Sequence, residues 1–170
     1  MDSRKFLSDS ERESLETYLV SRLDSDLRNC ALFLTALHSG ARANELLSLT
    51  WNEIDLVSGE IFLATLKGGR PRPIVVPKLV REALSRLKTM SPEKPFNISY
   101  SRLAELWTLY RPIEKPFRSL RHSFAMRAYD RTKNIKFVQR ALGHRSIQNT
   151  MVYLEYDYSA NEFKKLMRVR

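Results

Sequence analysis

A single stretch of this chain, residues 54–76, has the pattern of β-strands, and helical signals dominate on both sides of it. Within the stretch, Glu60 to Leu66 is rich in β-branched and aromatic residues, and Pro73 to Val76 is a shorter apolar run. The turn sequence Lys67-Gly68-Gly69-Arg70 separates the two runs and predicts an antiparallel hairpin. Because proline cannot donate a ladder hydrogen bond, the second run is expected at an edge of the sheet.

Helical periodicity and helix-boundary signals cover the rest of the chain. Ser8 and Glu11 have capping-box spacing, which predicts a helix from Ser8 to about Leu23. The next helix is expected to begin at Asp24-Ser25-Asp26 and to end at Gly40, which can take the left-handed conformation. Further predicted helices are Ala43 to Leu47, Leu79 to Met90, Tyr100 to Tyr110, Leu120 to Arg131, Ile135 to Leu142 and Ser146 to about Leu154. The expected fold class is mainly α with a small antiparallel β-sheet (α+β).

The charge balance points to a polyanionic partner. Lys and Arg number 29 against 19 Asp and Glu, which gives a formal net charge of +10 in 170 residues. An excess of this size favours nucleic acid, although charge alone does not separate DNA from RNA and is also found in domains that bind acidic lipid or nothing specific. The length fits one domain, and no linker or repeat divides it, so residues 1–170 are interpreted as a single unit.

The cysteine, histidine and hydropathy patterns argue against three kinds of protein: disulfide-bonded, zinc-binding and membrane-spanning. The only cysteine, Cys30, rules out an internal disulfide and indicates a reducing, cytoplasmic location. The three histidines are too dispersed to indicate a zinc site, and no metal or other cofactor is expected. The longest apolar run, Ala31 to Leu37, is too short to cross a membrane, and no signal peptide is visible.

Three segments carry residues suited to phosphate chemistry. Arg42, Arg121 and the pair His144 and Tyr153 lie in Ser39-Gly40-Ala41-Arg42-Ala43-Asn44-Glu45-Leu46, Arg118-Ser119-Leu120-Arg121-His122-Ser123-Phe124-Ala125 and Leu142-Gly143-His144 through Tyr153. A phenol is a plausible covalent nucleophile, and one guanidinium group can donate two parallel hydrogen bonds to the oxygens of a phosphate. Taken singly, such an arginine is most often solvated and such a tyrosine is usually core. Tyr156 and Tyr158 are nearby competitors for the nucleophile.

In this order and spacing, the three segments resemble the catalytic domain of the tyrosine recombinases, the phage-integrase family of site-specific DNA strand-transfer enzymes. Arg121 precedes His144 by 23 residues and His144 precedes Tyr153 by 9. The resemblance implies that Arg42 and Arg121 hold the scissile phosphate and that His144 donates a hydrogen bond to it. Tyr153 would attack to give a 3′-phosphotyrosine and a free 5′-hydroxyl. The resemblance also implies that no metal or nucleotide cofactor is required.

The hairpin and the first segment add supporting residues. The resemblance implies that Lys67, on the predicted turn, protonates the leaving 5′-oxygen. Glu45 matches an acidic position where a buried carboxylate orients the cations of the site. Arg70 and Arg72 are expected to contact DNA from the same hairpin, and the alternative is that they only keep an exposed hairpin soluble.

One position departs from the family pattern. Arg118 stands three residues before Arg121, where the family usually has histidine, and arginine cannot shuttle a proton because its pKa is too high. Arg118 is therefore expected to act catalytically as a third donor to the phosphate, and the alternative is a slow or inactive branch of the family. The adjacent His122 does not replace the missing histidine automatically, because neighbouring helical residues point about 100° apart.

The resemblance also sets expectations for the whole protein. The partner is expected to be double-stranded DNA with specific recombination sites, bound by a homotetramer whose subunits are monomeric when free and associate with the nucleoid. The usual N-terminal core-binding domain is interpreted as absent, either by excision or as in the small inversion enzymes. The tail from Asp157 to Arg170 is expected to dock on a neighbouring subunit, or else on its own domain. A DNA-binding regulator without turnover and a type IB topoisomerase are the alternative functions.

Overall fold

A computed structural model describes residues 6–65 and 69–153. Its helices and strands, in chain order, are α1 (Asp9–Ser21), α2 (Leu27–Ser39), α3 (Ala43–Ser48), a 3-10 turn (Trp51–Glu53), β1 (Glu60–Leu63), β2 (Arg72–Val75), α4 (Lys78–Met90), α5 (Tyr100–Tyr110), α6 (Arg118–Thr132), α7 (Ile135–Leu142) and α8 (Gln148–Met151). The predicted fold class, mainly α with a small antiparallel sheet, is confirmed. None of the helices in these two ranges is long and apolar enough to cross a bilayer.

Helix-boundary signals explain where the helices begin and end. Ser8 caps α1 as predicted, since its side chain accepts from the Glu11 amide and Glu11 returns a bond to the Ser8 amide. Gly40 ends α2 in the left-handed conformation with φ of 61°. Several helix boundaries differ from prediction by one to three residues, and the starts of α6 and α8 are two of them. Helix α6 begins at Arg118, two residues earlier than expected, and α8 begins at Gln148, after Ser146 has accepted a hydrogen bond from the Gln148 amide.

Helix α2 is the central element of the core, and nearly all of its residues are buried. It packs against α1, α4 and α6. Phe33 on α2 contacts three aromatic rings, with centroid separations of 5.0 to 6.2 Å, from Tyr110, Trp107 and Phe117. This packing fixes the carboxyl end of α2, where Gly40 and Arg42 lie, against helix α6.

The hairpin is a two-stranded antiparallel sheet, and Ile61 on β1 also forms an isolated antiparallel bridge with Ile54, so β2 is the edge strand, as predicted. Ile61 pairs with Ile74 and Leu63 pairs with Arg72. Side chains alternate between the two faces, so Ile61, Leu63, Arg72 and Ile74 all point toward the core. Strand β1 ends at Leu63, and β2 begins one residue earlier than predicted, at Arg72. This register places an arginine in the interior.

Substitution of Gly40 by alanine should destabilise the fold. A Cβ there would lie 2.4 Å from Cδ1 of Phe124, and the positive φ adds backbone strain. We expect a loss of more than about 1 kcal/mol in the free energy of unfolding. Urea unfolding measures this loss. Ser85→Ala, at an exposed site on α4, is the matched control and should be neutral or slightly stabilising. Equal stability of the two variants would contradict the tight contact.

Candidate active site

A buried carboxylate, Glu45, lies at the centre of the candidate site. Its side chain is only 3% exposed. Arg72 binds it in bidentate fashion, with Nη1 donating to Oε1 and Nη2 donating to Oε2, both at 3.0 Å. Arg42 adds two bonds, from its amide to Oε2 at 2.7 Å and from Nη1 to Oε1 at 3.0 Å. Burial tends to raise the pKa of Glu45, but the hydrogen bonds and charges of Arg72, Arg42 and Arg121 outweigh it and hold the pKa below its usual value.

Arg42 presents a partly accessible cation. It precedes α3, and Glu45, three residues later, reaches back to its amide in capping-box fashion. One nitrogen of the guanidinium is fixed by Glu45, while the side chain remains 41% exposed. The Arg42 guanidinium is therefore held in one orientation and still has N–H donors that a ligand can reach.

Arg121 is a nearly buried cation held by backbone oxygens. Its Nη1 donates to the carbonyl of Gly40 at 2.7 Å, and its Nη2 donates to the carbonyl of Leu142 at 2.6 Å. Burial, with the charges of Arg42 and Arg72, lowers the pKa of Arg121 to about 9, so it remains charged at neutral pH. Three guanidinium groups around one carboxylate leave an excess of positive charge for which a phosphate is the natural counter-ion.

His144 lies beside Arg121 in a neutral form. Its Nε2 is 3.1 Å from Nη2 of Arg121, and its Nδ1 is 2.9 Å from Oγ1 of Thr150. Because a guanidinium can only donate, Nε2 accepts, and we assign the proton to Nδ1, which donates to Thr150. Burial and the charges of Arg121, Arg42 and Arg72 lower the pKa of His144 to about 4.

Gly143 brings the hairpin to this corner. It ends α7 with φ of 66°, and a Cβ there would lie 2.6 Å from the carbonyl oxygen of Arg70. The Arg70 amide donates to the Gly143 carbonyl at 3.0 Å. Gly69 is also close, since a Cβ on it would lie 3.1 Å from the Gly143 oxygen. Gly69 and Arg70, where the described chain resumes after the hairpin turn, therefore lie next to the segment that carries His144.

Tyr153 is buried at the edge of the site. Only 2% of its surface is exposed, and it packs with a second apolar cluster that includes Ala125, Val138 and Leu142. Its hydroxyl lies 3.0 Å from Nδ1 of His122. Burial raises the pKa of Tyr153, and the charges of Arg121 and Arg42 offset that effect only in part.

The sequence-predicted residues have separate outcomes. Five of the predicted residues lie close together at the junction of α2–α3, α6 and the segment after α7, as the distances and charge interactions above show: Arg42, Glu45, Arg121, His144 and Tyr153. Lys67 falls outside the described residues, as do Tyr156, Tyr158 and the tail from Asp157 to Arg170. Arg118 is exposed on the first turn of α6, and Arg70 is exposed on the hairpin.

Arg72 does not occupy the surface position expected of a DNA-contacting hairpin residue. It is 4% exposed, its Nε donates to the carbonyl of Ala141 at 2.7 Å, and both terminal nitrogens bind Glu45. The physical reason is strand alternation, which puts Arg72 on the same inward face as Ile74. Arg72 acts on Glu45 inside the protein.

Sequence reasoning missed two further residues that contact the candidate groups. Thr150 accepts from His144, and His122 contacts Tyr153. The inward alternation of β2 was a usable signal for Arg72, whereas nothing in the sequence indicated the pairing of His122 with Tyr153. Although Arg121 and His122 are neighbours on α6, each reaches a different part of the site.

Comparison with known proteins identifies the family of this chain. The model of the phage integrase family matches residues 5–100 and 108–160. The chain belongs to the phage integrase family. Tyrosine recombinase XerA of Saccharolobus solfataricus is 32% identical over 146 residues, which cover 77% of this chain and 47% of that protein. Tyrosine recombinase XerA of Pyrococcus furiosus is 27% identical over 165 residues, which cover 88% of this chain and 58% of that protein. This phage integrase family member thus spans about half the length of the relatives it matches.

Solved structures of the family have the same fold. A crystal structure of XerA recombinase superposes with a TM-score of 0.74 at 25% identity, covering 97% of this chain and 65% of that one. XerH recombinase bound to its difH substrate gives a TM-score of 0.72 at 20% identity, covering 97% and 54%. The catalytic domain of bacteriophage HP1 integrase, at 22% identity and a TM-score of 0.66, covers 95% and 93%. The last two likenesses concern the fold alone.

The low pKa of His144 predicts that the fold loses stability on acidification at pH values above those at which carboxylates become protonated. Its folded pKa of about 4 lies below the ordinary value of 6.5, so the unfolded chain binds the extra proton and stability falls as pH falls from about 6.5 toward 4. After allowance for solvent screening, we expect a loss on the order of 1 kcal/mol between pH 7 and pH 5. Urea unfolding at the two pH values measures it.

His144→Gln should remove this part of the pH dependence. Burial also lowers the pKa of His38, so the comparison is made in a His38→Gln background to isolate His144. An unchanged loss of stability in the double variant would contradict a neutral, buried His144.

Proposed function

We propose that this chain is the catalytic domain of a site-specific DNA recombinase that cleaves and rejoins strands through a 3′-phosphotyrosine at Tyr153. The observation that carries the proposal is the buried Glu45, which gathers Arg42, Arg72 and Arg121 from three separate elements. The curated relatives that are named tyrosine recombinases add to it.

The arginines supply the electrostatic part of the reaction. Attack on a phosphodiester concentrates negative charge on the non-bridging oxygens, and fixed guanidinium groups stabilise that charge without reorganisation. Arg42 contributes from the accessible side and Arg121 from the interior. The anionic phosphate also raises the proton affinity of His144, which favours a protonated imidazole able to donate to the phosphate.

In the remaining steps, the energy of the broken phosphodiester bond is kept in the bond to the protein, and the leaving oxygen needs one proton. Tyr153 Oη bonds to phosphorus as the bond to the 5′-oxygen breaks, so the phosphotyrosine ester retains the energy needed for rejoining. No nucleotide cofactor or metal ion takes part in the proposed steps. Lys67 would protonate the leaving oxygen, a role supported by Gly69 and Arg70, which follow it on the hairpin and lie against Gly143 beside His144.

The exposed arginines contact the DNA backbone in this proposal. Arg70 and Arg118 are both exposed, on the hairpin and on the first turn of α6, and Arg118 serves as a third donor near the scissile phosphate. Double-stranded DNA is the partner, bound by a homotetramer assembled from free monomers at the nucleoid, with residues 1–170 acting as one catalytic unit. Solved structures of two similar proteins contain XerH bound to its difH substrate and the Tn1549 transposon integrase in complex with circular intermediate DNA.

A DNA-binding protein without turnover is the second candidate. The burial of Tyr153 favours it, because a nucleophile that is 2% exposed must move or be uncovered before it reaches DNA. Covalent capture separates the two functions.

The covalent step predicts a trapped adduct. A pool of duplexes with randomised flanks and a nick that releases a short 5′-hydroxyl fragment should be captured by the protein, because the departed strand cannot reverse the reaction. The adduct should survive denaturation and map to Tyr153 by peptide sequencing, and Tyr153→Phe should abolish it. Mapping to Tyr156 or Tyr158 would move the nucleophile, and no capture from the pool would favour the non-catalytic function.

The captured duplex then tests the roles of the cations. Replacing the leaving 5′-oxygen by sulfur removes the need for protonation, so it should restore cleavage by Lys67→Ala far more than by Arg121→Ala, whose defect lies in charge stabilisation. Equal restoration of both variants would contradict the proton-donor role of Lys67.

Arg70 and Arg72 on the hairpin should respond differently to substitution by lysine. Arg72→Lys keeps the charge but loses the bidentate bond to Glu45, so single-turnover cleavage at saturating DNA should fall about 10²-fold through misplacement of Arg42. Arg70→Lys is the matched control on the exposed face and should cleave at nearly the parent rate. Equal cleavage by the two variants would contradict the positioning role of Arg72.

A further inference from the structure

The phenol of Tyr153 and the imidazole of His122 form a direct pair. Tyr153 Oη lies 3.0 Å from His122 Nδ1, and the two rings are 5.8 Å apart at 53°. His122 comes from the first half of α6 and Tyr153 from the turn after α8, so packing of α6 against the second apolar cluster creates the pair. A buried phenol requires a hydrogen-bond partner, and here that partner is a base.

The chemistry of the pair assigns a direction to the hydrogen bond. A protonated phenol donates to the unprotonated nitrogen, which places the imidazole proton of His122 on Nε2. The charged groups acting on Tyr153 from the described residues are Arg121, its neighbour on α6, and Arg42 from the α2–α3 corner. Both favour the phenolate, so they assist loss of the phenolic proton toward His122.

The other basic groups of the site are poorly suited to accept this proton. Arg121 and Arg118 are guanidinium groups, which do not act as proton acceptors. His144 already uses Nε2 for Arg121 and Nδ1 for Thr150. Among the described titratable groups of the site, His122 is the one in hydrogen-bond contact with the reacting oxygen.

We propose that His122 is the general base that removes the proton of Tyr153 during attack, an inference that rests on the proposed function. As Tyr153 Oη bonds to phosphorus, its proton passes to His122 Nδ1, and the bond to the 5′-oxygen breaks with protonation of the leaving oxygen by the separate donor. In rejoining, the 5′-hydroxyl attacks phosphorus and gives its proton back to the separate donor, while the bond from phosphorus to Tyr153 Oη breaks and the His122 imidazolium returns its proton to Oη. Over the complete cycle, His122 is unchanged.

Two substitutions separate proton transfer from positioning. His122→Asn places an amide oxygen near the site of Nδ1, so it can hold the Tyr153 hydroxyl but cannot take its proton, whereas His122→Ala does neither. With the captured nicked duplex, we expect both variants to lower single-turnover cleavage by at least about 10²-fold at unchanged DNA affinity. Added imidazole should restore cleavage by His122→Ala in proportion to the fraction of the imidazole that is neutral. Cleavage by His122→Asn at the parent rate, or His122→Ala that binds DNA but does not respond to imidazole, would overturn the proposal.

The free protein offers a readout that does not require DNA. Nitrogen-15 NMR of labelled histidine in the free protein should show His122 with a proton on Nε2 and a hydrogen-bonded, unprotonated Nδ1, and Tyr153→Phe should change the Nδ1 resonance selectively. A proton on Nδ1 of neutral His122 would overturn the pairing even if cleavage occurs. If the NMR result holds but no duplex is captured by the parent protein, the proposed function fails and the general-base role fails with it.

Discussion

The bidentate ion pair between Arg72 and Glu45 is the interaction on which the candidate site depends. Both side chains are nearly buried, so each charge loses its hydration and needs compensation from within the protein. Glu45 receives four hydrogen bonds, two from Arg72 and two from Arg42, while Arg72 also binds the Ala141 carbonyl. Removing one member would leave the other charged and buried, which typically costs about 3–5 kcal/mol. The pair is a strong constraint on which arrangements of the chain can fold.

The same groups join the parts of the chain that form the site. Arg72 links the hairpin to the end of α7, and Arg121 links α6 to the ends of α2 and α7 through the carbonyls of Gly40 and Leu142. Gly40 and Gly143 take left-handed conformations and leave room for close neighbours. The outcome is a cluster with more positive than negative charge, and it is completed electrostatically by an anion such as a DNA phosphate.

Local signals in the sequence predicted most of the helices and the hairpin, because capping residues, periodicity and glycine act over a few neighbours. Gly40, for example, marked both the end of α2 and the position of Arg42. The burial of Arg72 and the pairing of His122 with Tyr153 depend on contacts between distant segments, and 31 positions separate the latter two residues. Arg121 and His122 point in different directions from α6, as helix geometry predicts. Helix geometry alone does not reveal that α6 lies between two functional groups, so that each direction reaches one of them.

A double-variant cycle on single-turnover DNA cleavage tests most directly whether Arg72 acts through Glu45 on Arg42. The rates of Arg72→Lys, Arg42→Lys and the double variant are compared with that of the parent protein at saturating DNA. If Arg72 serves to position Arg42, the two losses are strongly non-additive, and the double variant cleaves about as fast as Arg42→Lys alone. Losses that multiply independently would contradict the account, because they would mean that Arg72 contributes to the reaction without the Glu45 link.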